Sequence, residues 1–167
     1  MIHGAAGGVG VMAVQLAAAR GATLVATASP AQHGFFRKLG AVLVASGDGL
    51  AERVRTAAPG GIDAALDLVG TDEAIDVSLA LVADQARIAT IVAVRRSLAA
   101  GIKVLGGAPG AEPGTKIRND ARLELARLAQ EGTLHVFVTQ TFQLADAVAA
   151  HRASMSSHTT GKIALIP

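Results

Sequence analysis

The sequence predicts an α/β fold, a doubly wound parallel sheet with helices on both faces. Three observations predict it. Short apolar stretches alternate with helical ones about five times along the chain, joined by loops of a few residues, the pattern of strand–helix–strand crossovers. The apolar stretches lack polar alternation, which marks strands buried on both faces. Hydrophobic residues make up 51% but aromatics only 2%, so Ala, Val, Leu and Ile fill the interior and helices can lie close on the sheet. With 167 residues the chain is long enough for one domain with a real core.

Met1 to Gly4 reads as the end of a buried strand. Gly7, Gly8 and Gly10 punctuate a turn, and Val9 to Arg20 is a helix with Val11, Val14 and Ala18 on one face, stopped by Gly21. Thr23 to Ala28 is a strand; Pro30 opens a helix to Leu39 that Gly40 closes. Val42 to Ala45 is a short strand, Leu50 to Ala57 a helix, and Pro59-Gly60-Gly61 a turn. Ile62 to Val69 is a strand with Gly70 at its end, and Asp72 to Val82 is helical. Arg87 to Val94 and Ile102 to Leu105 are strands, followed by a loop of Gly, Ala and Pro from Gly106 to Gly114. Thr115 to Glu131 is a long helix ended by Gly132. The remainder reads as a strand (His135 to Phe142), a helix (Leu144 to Ser154) and a strand (Lys162 to Ile166).

Fifteen basic and thirteen acidic residues give a net charge of +2 with no Lys/Arg run, so a nucleic-acid partner is not implied. No apolar run reaches the roughly 18 residues of a membrane span, and the N-terminus lacks the charged start of a signal peptide. The absence of cysteine excludes disulfides and thiolate metal sites. A soluble, cytoplasmic protein is the expectation.

The first turn carries Ala5-x-Gly7-x-x-Gly10 with an extra Gly8, differing from G-x-G-x-x-G at its first glycine. Gly7 lets a pyrophosphate approach the backbone, and Gly10 lets the helix lie against its strand. The helix N-terminus then offers free N–H groups and partial positive charge. A strand before, a helix after and a second strand beyond make this a Rossmann-type dinucleotide site. An NAD site places Asp or Glu about 20 residues on, to hold the ribose 2′-hydroxyl. Here Thr27-Ala28-Ser29-Pro30 stands instead. Ser29 can bond a 2′-phosphate, and His33, Arg37 and Lys38 follow on the next helix, so NADP(H) is predicted over NAD(H). Ser29-Pro30 equally reads as a helix N-cap with Pro at N1, and the two readings are compatible. His33, Arg37 and Lys38 also read as solvated surface.

The segments IHGAAGGVGVMAVQLAAARGA, ATASPAQH, GIDAALDLVG and RIATIVA, with the closing HRASMSSHTTGKIALIP, resemble the cofactor domain of the medium-chain dehydrogenases/reductases. The nearest branch is the zinc-independent, quinone oxidoreductase-like one. The opening segment and the closing pattern from His151 to Ile163 are the most specific parts of the resemblance. It implies a Rossmann domain over residues 1–132 and a return segment over residues 133–167. That segment would belong to an N-terminal GroES-like substrate domain, expected ahead of Met1 and missing here. It implies that Ala6, Gly7, Gly8 and Val9 form the diphosphate loop and that Ser29 contacts the 2′-phosphate. Gln32 stands where related reductases often carry a Lys for that phosphate, and Ser46-Gly47 replaces a Tyr near the adenine. Val69-Gly70 and Val92-Ala93 match strand ends lining the ribose and nicotinamide, or else are plain core strand.

The implied reaction passes a hydride from NADPH to a quinone or activated enone, the partner being a small molecule. The alternative is an isolated nucleotide-binding module without activity of its own. A short-chain reductase would need a Tyr-x-x-x-Lys pair, and the chain has no Tyr. The five histidines are scattered without metal-ligand spacing, so no metal site is expected. His3 reads as a buried strand residue rather than a catalyst. Asp63 and Asp67 read as an acid–base pair on one strand face, or as turn-bonding groups. Ile102 to Leu105 is the expected sheet edge, where two copies would join as a homodimer.

Overall fold

The computed structural model describes residues 1–29, 33–156 and 160–167. In chain order the first strands are β1 (Ile2–His3), β2 (Leu24–Thr27), β3 (Ala41–Val44), β4 (Ala65–Asp67), β5 (Ile88–Thr90) and β6 (Lys103–Val104). The helices between them are α1 (Gly10–Ala19), α2 (His33–Arg37), α3 (Leu50–Ala57), α4 (Asp72–Leu81) and α5 (Val94–Ala99). The strands pair in parallel in the order β3-β2-β1-β4-β5-β6, and the order reverses between β1 and β4.

All four residues of β2 are buried, and the pleat splits them between two cores. Leu24 and Ala26 meet Val11 and Val14 of α1 and Phe36 of α2. Val25 faces Leu50 and Val54 of α3 and Val77 of α4. Helices therefore cover both faces, as the uniformly apolar strands predict. Thr71 caps α4, its Oγ1 accepting from the Ala74 N–H at 3.2 Å, and Asp72 and Glu73 complement the helix dipole in the first turn.

Two predicted strands end before their apolar runs do, for the same reason. Asp67 Oδ1 accepts from the Val69 and Gly70 N–H groups at 3.1 and 2.9 Å, turning the chain out of β4. Thr90 Oγ1 accepts from Val92 and Ala93 at 3.1 and 3.3 Å and ends β5. The chain then enters α5, a helix absent from the sequence reading. Asp63 lies outside β4 and is exposed, so Asp63 and Asp67 form no pair; Asp67 does the turn bonding. Pro30 and Gln32, where the second helix was to open and a phosphate contact to stand, lie outside the described residues, as does His158.

Beyond β6 come α6 (Thr115–Gln130), β7 (Val138–Gln143), a 3-10 turn, α7 (Ala147–Met155) and β8 (Lys162–Ile166). No residue of α6 is buried. β7 and β8 pair in parallel as a separate sheet. Two ties hold this tail to α1 and its turn. Buried Gln15 donates through Nε2 to the His135 carbonyl at 3.1 Å and accepts from the His135 N–H at 2.8 Å. The Gly161 N–H donates to the Ala6 carbonyl at 3.0 Å. At the sheet edge, the Glu112 N–H donates to the Val104 carbonyl at 2.7 Å and the Gly106 N–H to the Glu112 carbonyl at 3.0 Å. Pairing of two copies along β6 would have to displace that segment. Among the described residues no helix is long and apolar enough to cross a membrane.

Candidate functional site

A cleft of about 1090 Å³ opens at the carboxyl ends of β1, β2 and β4, where the strand order reverses. Its floor is the glycine turn. Gly7 N–H donates to the Gly4 carbonyl at 3.2 Å, and the Val11 N–H to the Gly7 carbonyl at 3.0 Å, so the turn runs straight into α1. The turn is stitched to β2 by the Gly4 N–H donating to Thr27 Oγ1 and the Ala5 N–H donating to the Thr27 carbonyl, both at 3.0 Å. A Cβ on Gly10 would overlap the Gly4 carbonyl oxygen and stand 2.6 Å from the Ala5 carbonyl carbon. The helix start thus presses on the strand end, as the sequence predicts for Gly10. A Cβ on Gly7 would meet only the Gly4 carbonyl oxygen, at 3.6 Å.

Ala6, Gly7, Gly8, Ser29 and Val69 line this one cleft. Val9 and Gly10 stand behind it at the start of α1, outside the lining. Arg37, exposed at the end of α2, is not in the lining either. The His33 side chain lies outside what is described. Gly70 abuts Val92: a Cβ on Gly70 would sit 2.6 Å from Val92 Cγ1. Val69-Gly70 and Val92-Ala93 are therefore neighbours, although the latter pair does not line the cleft. Val69 is 46% and Val92 48% exposed, so neither is core strand.

Two wall residues were not assigned to the site from sequence. Glu73, from the start of α4, lines the cleft with Oε2 accepting from the Gly47 N–H at 2.9 Å. Lys162, from β8, reaches the glycine turn. Arg53 fixes the adjoining loop through bonds to the carbonyls of Ala45 and Gly47. Among the described residues no three of His, Asp or Glu stand close enough to hold a metal ion.

His3 lines the cleft at the end of β1, 1% exposed, and its Nε2 has no hydrogen-bond partner. Burial lowers its pKa from 6.5 to about 4, against the opposing pull of the Asp67 carboxylate. The unfolded chain therefore takes up this proton first. The stability His3 contributes is full above pH 6.5 and falls as pH drops toward 4, by about 3 kcal/mol. Urea unfolding at pH 7.5 and 4.5 checks this: the acid loss is expected to shrink in His3→Gln, and an equal loss in both proteins refutes it.

Residues 39–165 match the family model for zinc-binding dehydrogenases. Over 176 aligned positions the chain is 32% identical to spectinabilin polyketide synthase system protein NorB of Streptomyces orinoci, covering 99% of this chain and 8% of that one. It is 31% identical over 189 positions to the 2-haloacrylate reductase of a Burkholderia species, covering 100% of this chain and 55% of that protein. The quinone oxidoreductase of Escherichia coli, solved in complex with NADPH, superposes with a TM-score of 0.79 at 28% identity, over 99% of this chain and 56% of that one. The chain thus spans about half the length of the reductase and the quinone oxidoreductase it matches. On the extent of the family match and the agreement of fold, the chain belongs to the zinc-binding dehydrogenase family, in the quinone oxidoreductase-like part of the medium-chain dehydrogenases/reductases.

Proposed function

We propose that this chain is the NADP(H)-binding half of a reductase that passes a hydride to a quinone or an activated enone. The observation that carries the reading is the glycine turn opening onto a cleft at the strand ends, with no carboxylate at the end of β2. The residues present fit such a cofactor. Ala6, Gly7 and Gly8, with Val9 and Gly10 shaping the turn behind them, would hold the pyrophosphate. Ser29, with Arg37 on the next helix, would meet the 2′-phosphate. Val69-Gly70 and Val92-Ala93 would border the ribose and nicotinamide. The chemistry supplied there is hydride transfer; the chain's own residues bind and orient. The relatives support this reading, one being complexed with NADPH and another named for reduction of 2-haloacrylate.

In this reading residues 1–132 are the dinucleotide-binding domain. Residues 133–167, whose β7–β8 sheet is separate from the main one, pack with a GroES-like domain of a longer protein. Groups that polarise the substrate would come from that domain. The family's description names zinc, but the residues here do not fit a zinc site: the chain has no Cys, and no ligand cluster stands among the described residues. No step of the reading runs through a metal.

Titration of the chain with NADPH and NADH, followed by cofactor fluorescence, tests the proposal. Tighter binding of NADPH is expected, with slow or no oxidation by an added quinone. Tighter binding of NADH, or binding of neither, overturns it.

A further inference from the structure

We infer that Gln15 is a positioning residue for the cleft: by pairing with both backbone groups of His135, it sets where the tail crosses the glycine turn. The course of the tail is independent of the cofactor reading above; its effect on ligand affinity rests on that reading. Gln15 is the one polar residue of α1, an otherwise apolar helix, and it is 5% exposed. It does not line the cleft. A buried amide on such a helix needs partners, and this one finds a residue 120 positions away. Nε2 donates to the His135 carbonyl and, within the helix, to the Val11 carbonyl, both at 3.1 Å. Oε1 accepts from the His135 N–H at 2.8 Å. The side-chain amide thus meets His135 as a neighbouring strand would, which an apolar side chain of the same size cannot do.

The tail has little burial to hold it otherwise: α6, β7 and β8 contain no buried residue. Beyond His135 the chain reaches Phe137, which packs on the core around Val11 and Phe36 and whose carbonyl accepts the Lys162 N–H at 2.7 Å. Val138 then opens β7 in register with Lys162 of β8. The Gly161 N–H donates to the Ala6 carbonyl at 3.0 Å. Gly161 has φ +73°, and a Cβ there would overlap the Phe137 carbonyl oxygen, so the crossing fits Phe137 closely. Fixing His135 therefore fixes Phe137, and Phe137 fixes the crossing. Ser154, Gly161 and Ile163, all from the tail, line the cleft. A residue in the middle of α1, outside the cleft, thereby determines one of its walls.

Hydrogen exchange and cofactor titration of two variants test this. Gln15→Leu keeps the volume and the helix but loses the pairing. Amides of residues 135–143 and 161–166 are then expected to exchange about 10-fold faster, with those of β2 unchanged. NADP⁺ is expected to bind about 10-fold more weakly. Gln15→Glu is compared at two pH values with the unsubstituted chain, which carries the same His3 and His135. At pH 8 the introduced carboxylate has no proton for the His135 carbonyl, and the loss is expected to match that of Gln15→Leu. At pH 5.5 burial keeps the carboxyl protonated, so one O–H and one carbonyl oxygen face His135 again, and affinity is expected to return to within about 2-fold. A simple loss of packing would not respond to pH in this way. Native tail exchange in Gln15→Leu overturns the inference, as does faster tail exchange with native affinity. Faster exchange across β2 as well overturns it too, since the whole fold would then be loosened. So does a Gln15→Glu deficit at pH 5.5 equal to that of Gln15→Leu. If the unsubstituted chain binds no NADP⁺, the cofactor reading fails, and tail exchange alone still decides whether Gln15 places the tail.

Discussion

Gly10→Ala is expected to destabilise the fold by about 3 kcal/mol or more, while Gly7→Ala leaves the fold intact and abolishes cofactor binding. The two glycines sit three residues apart in one turn but face different neighbours. A Cβ on Gly10 would run into the Gly4 carbonyl oxygen and both carbonyl atoms of Ala5, backbone groups that cannot swing aside. The Ala5 N–H is itself bonded to β2, so relief would require tearing the turn from the sheet. A Cβ on Gly7 would meet the Gly4 carbonyl oxygen at an ordinary 3.6 Å and otherwise stand in the cleft, where the proposal puts a pyrophosphate. Urea midpoints and NADPH titrations of the two variants separate the effects. A near-native midpoint for Gly10→Ala, or native affinity for Gly7→Ala, contradicts the packing described.

Asp67→Ala is expected to cost about 4 kcal/mol, and Asp67→Asn about half of that. Asp67 is fully buried on β4 and holds two turns at once. Oδ1 accepts from the Val69 and Gly70 N–H groups, and Oδ2 accepts from the Thr90 hydroxyl at 2.6 Å. Thr90 Oγ1 in turn accepts from Val92 and Ala93. Truncation leaves three donors without their partner and loosens the exits of both β4 and β5. Asparagine keeps one oxygen for the Val69 and Gly70 amides, and its NH₂ can donate to Thr90. Equilibrium unfolding of both variants checks the ratio; equal losses would mean that charge rather than bonding geometry holds the turns.

Local signals made much of the fold legible. The apolar run Leu24–Thr27, buried at every position, announced a central strand, and the spacing of Gly7 and Gly10 announced a strand–turn–helix. Where the reading ran long, the cause was a polar side chain inside an apolar stretch. Asp67 and Thr90 cap their own strands by bonding backbone amides two and three residues ahead, and the Ile91-Val92 and Val94 side chains that follow disguise the turn as strand. The cleft's floor was readable because it is contiguous. Its far wall was not: Glu73 and Lys162 reach it from elements that only tertiary packing brings near. Lys162 did belong to the closing pattern from His151 to Ile163, a signal for family and not for position.

The tail is fastened twice to one element, by His135 on the second turn of α1 and by Gly161 at the turn before it. The tail thus rests on the same helix start that shapes the glycine turn. Loss of the first two turns of α1 would therefore free the tail and undo the glycine turn in one event, a shared failure point for two stretches of chain far apart in sequence.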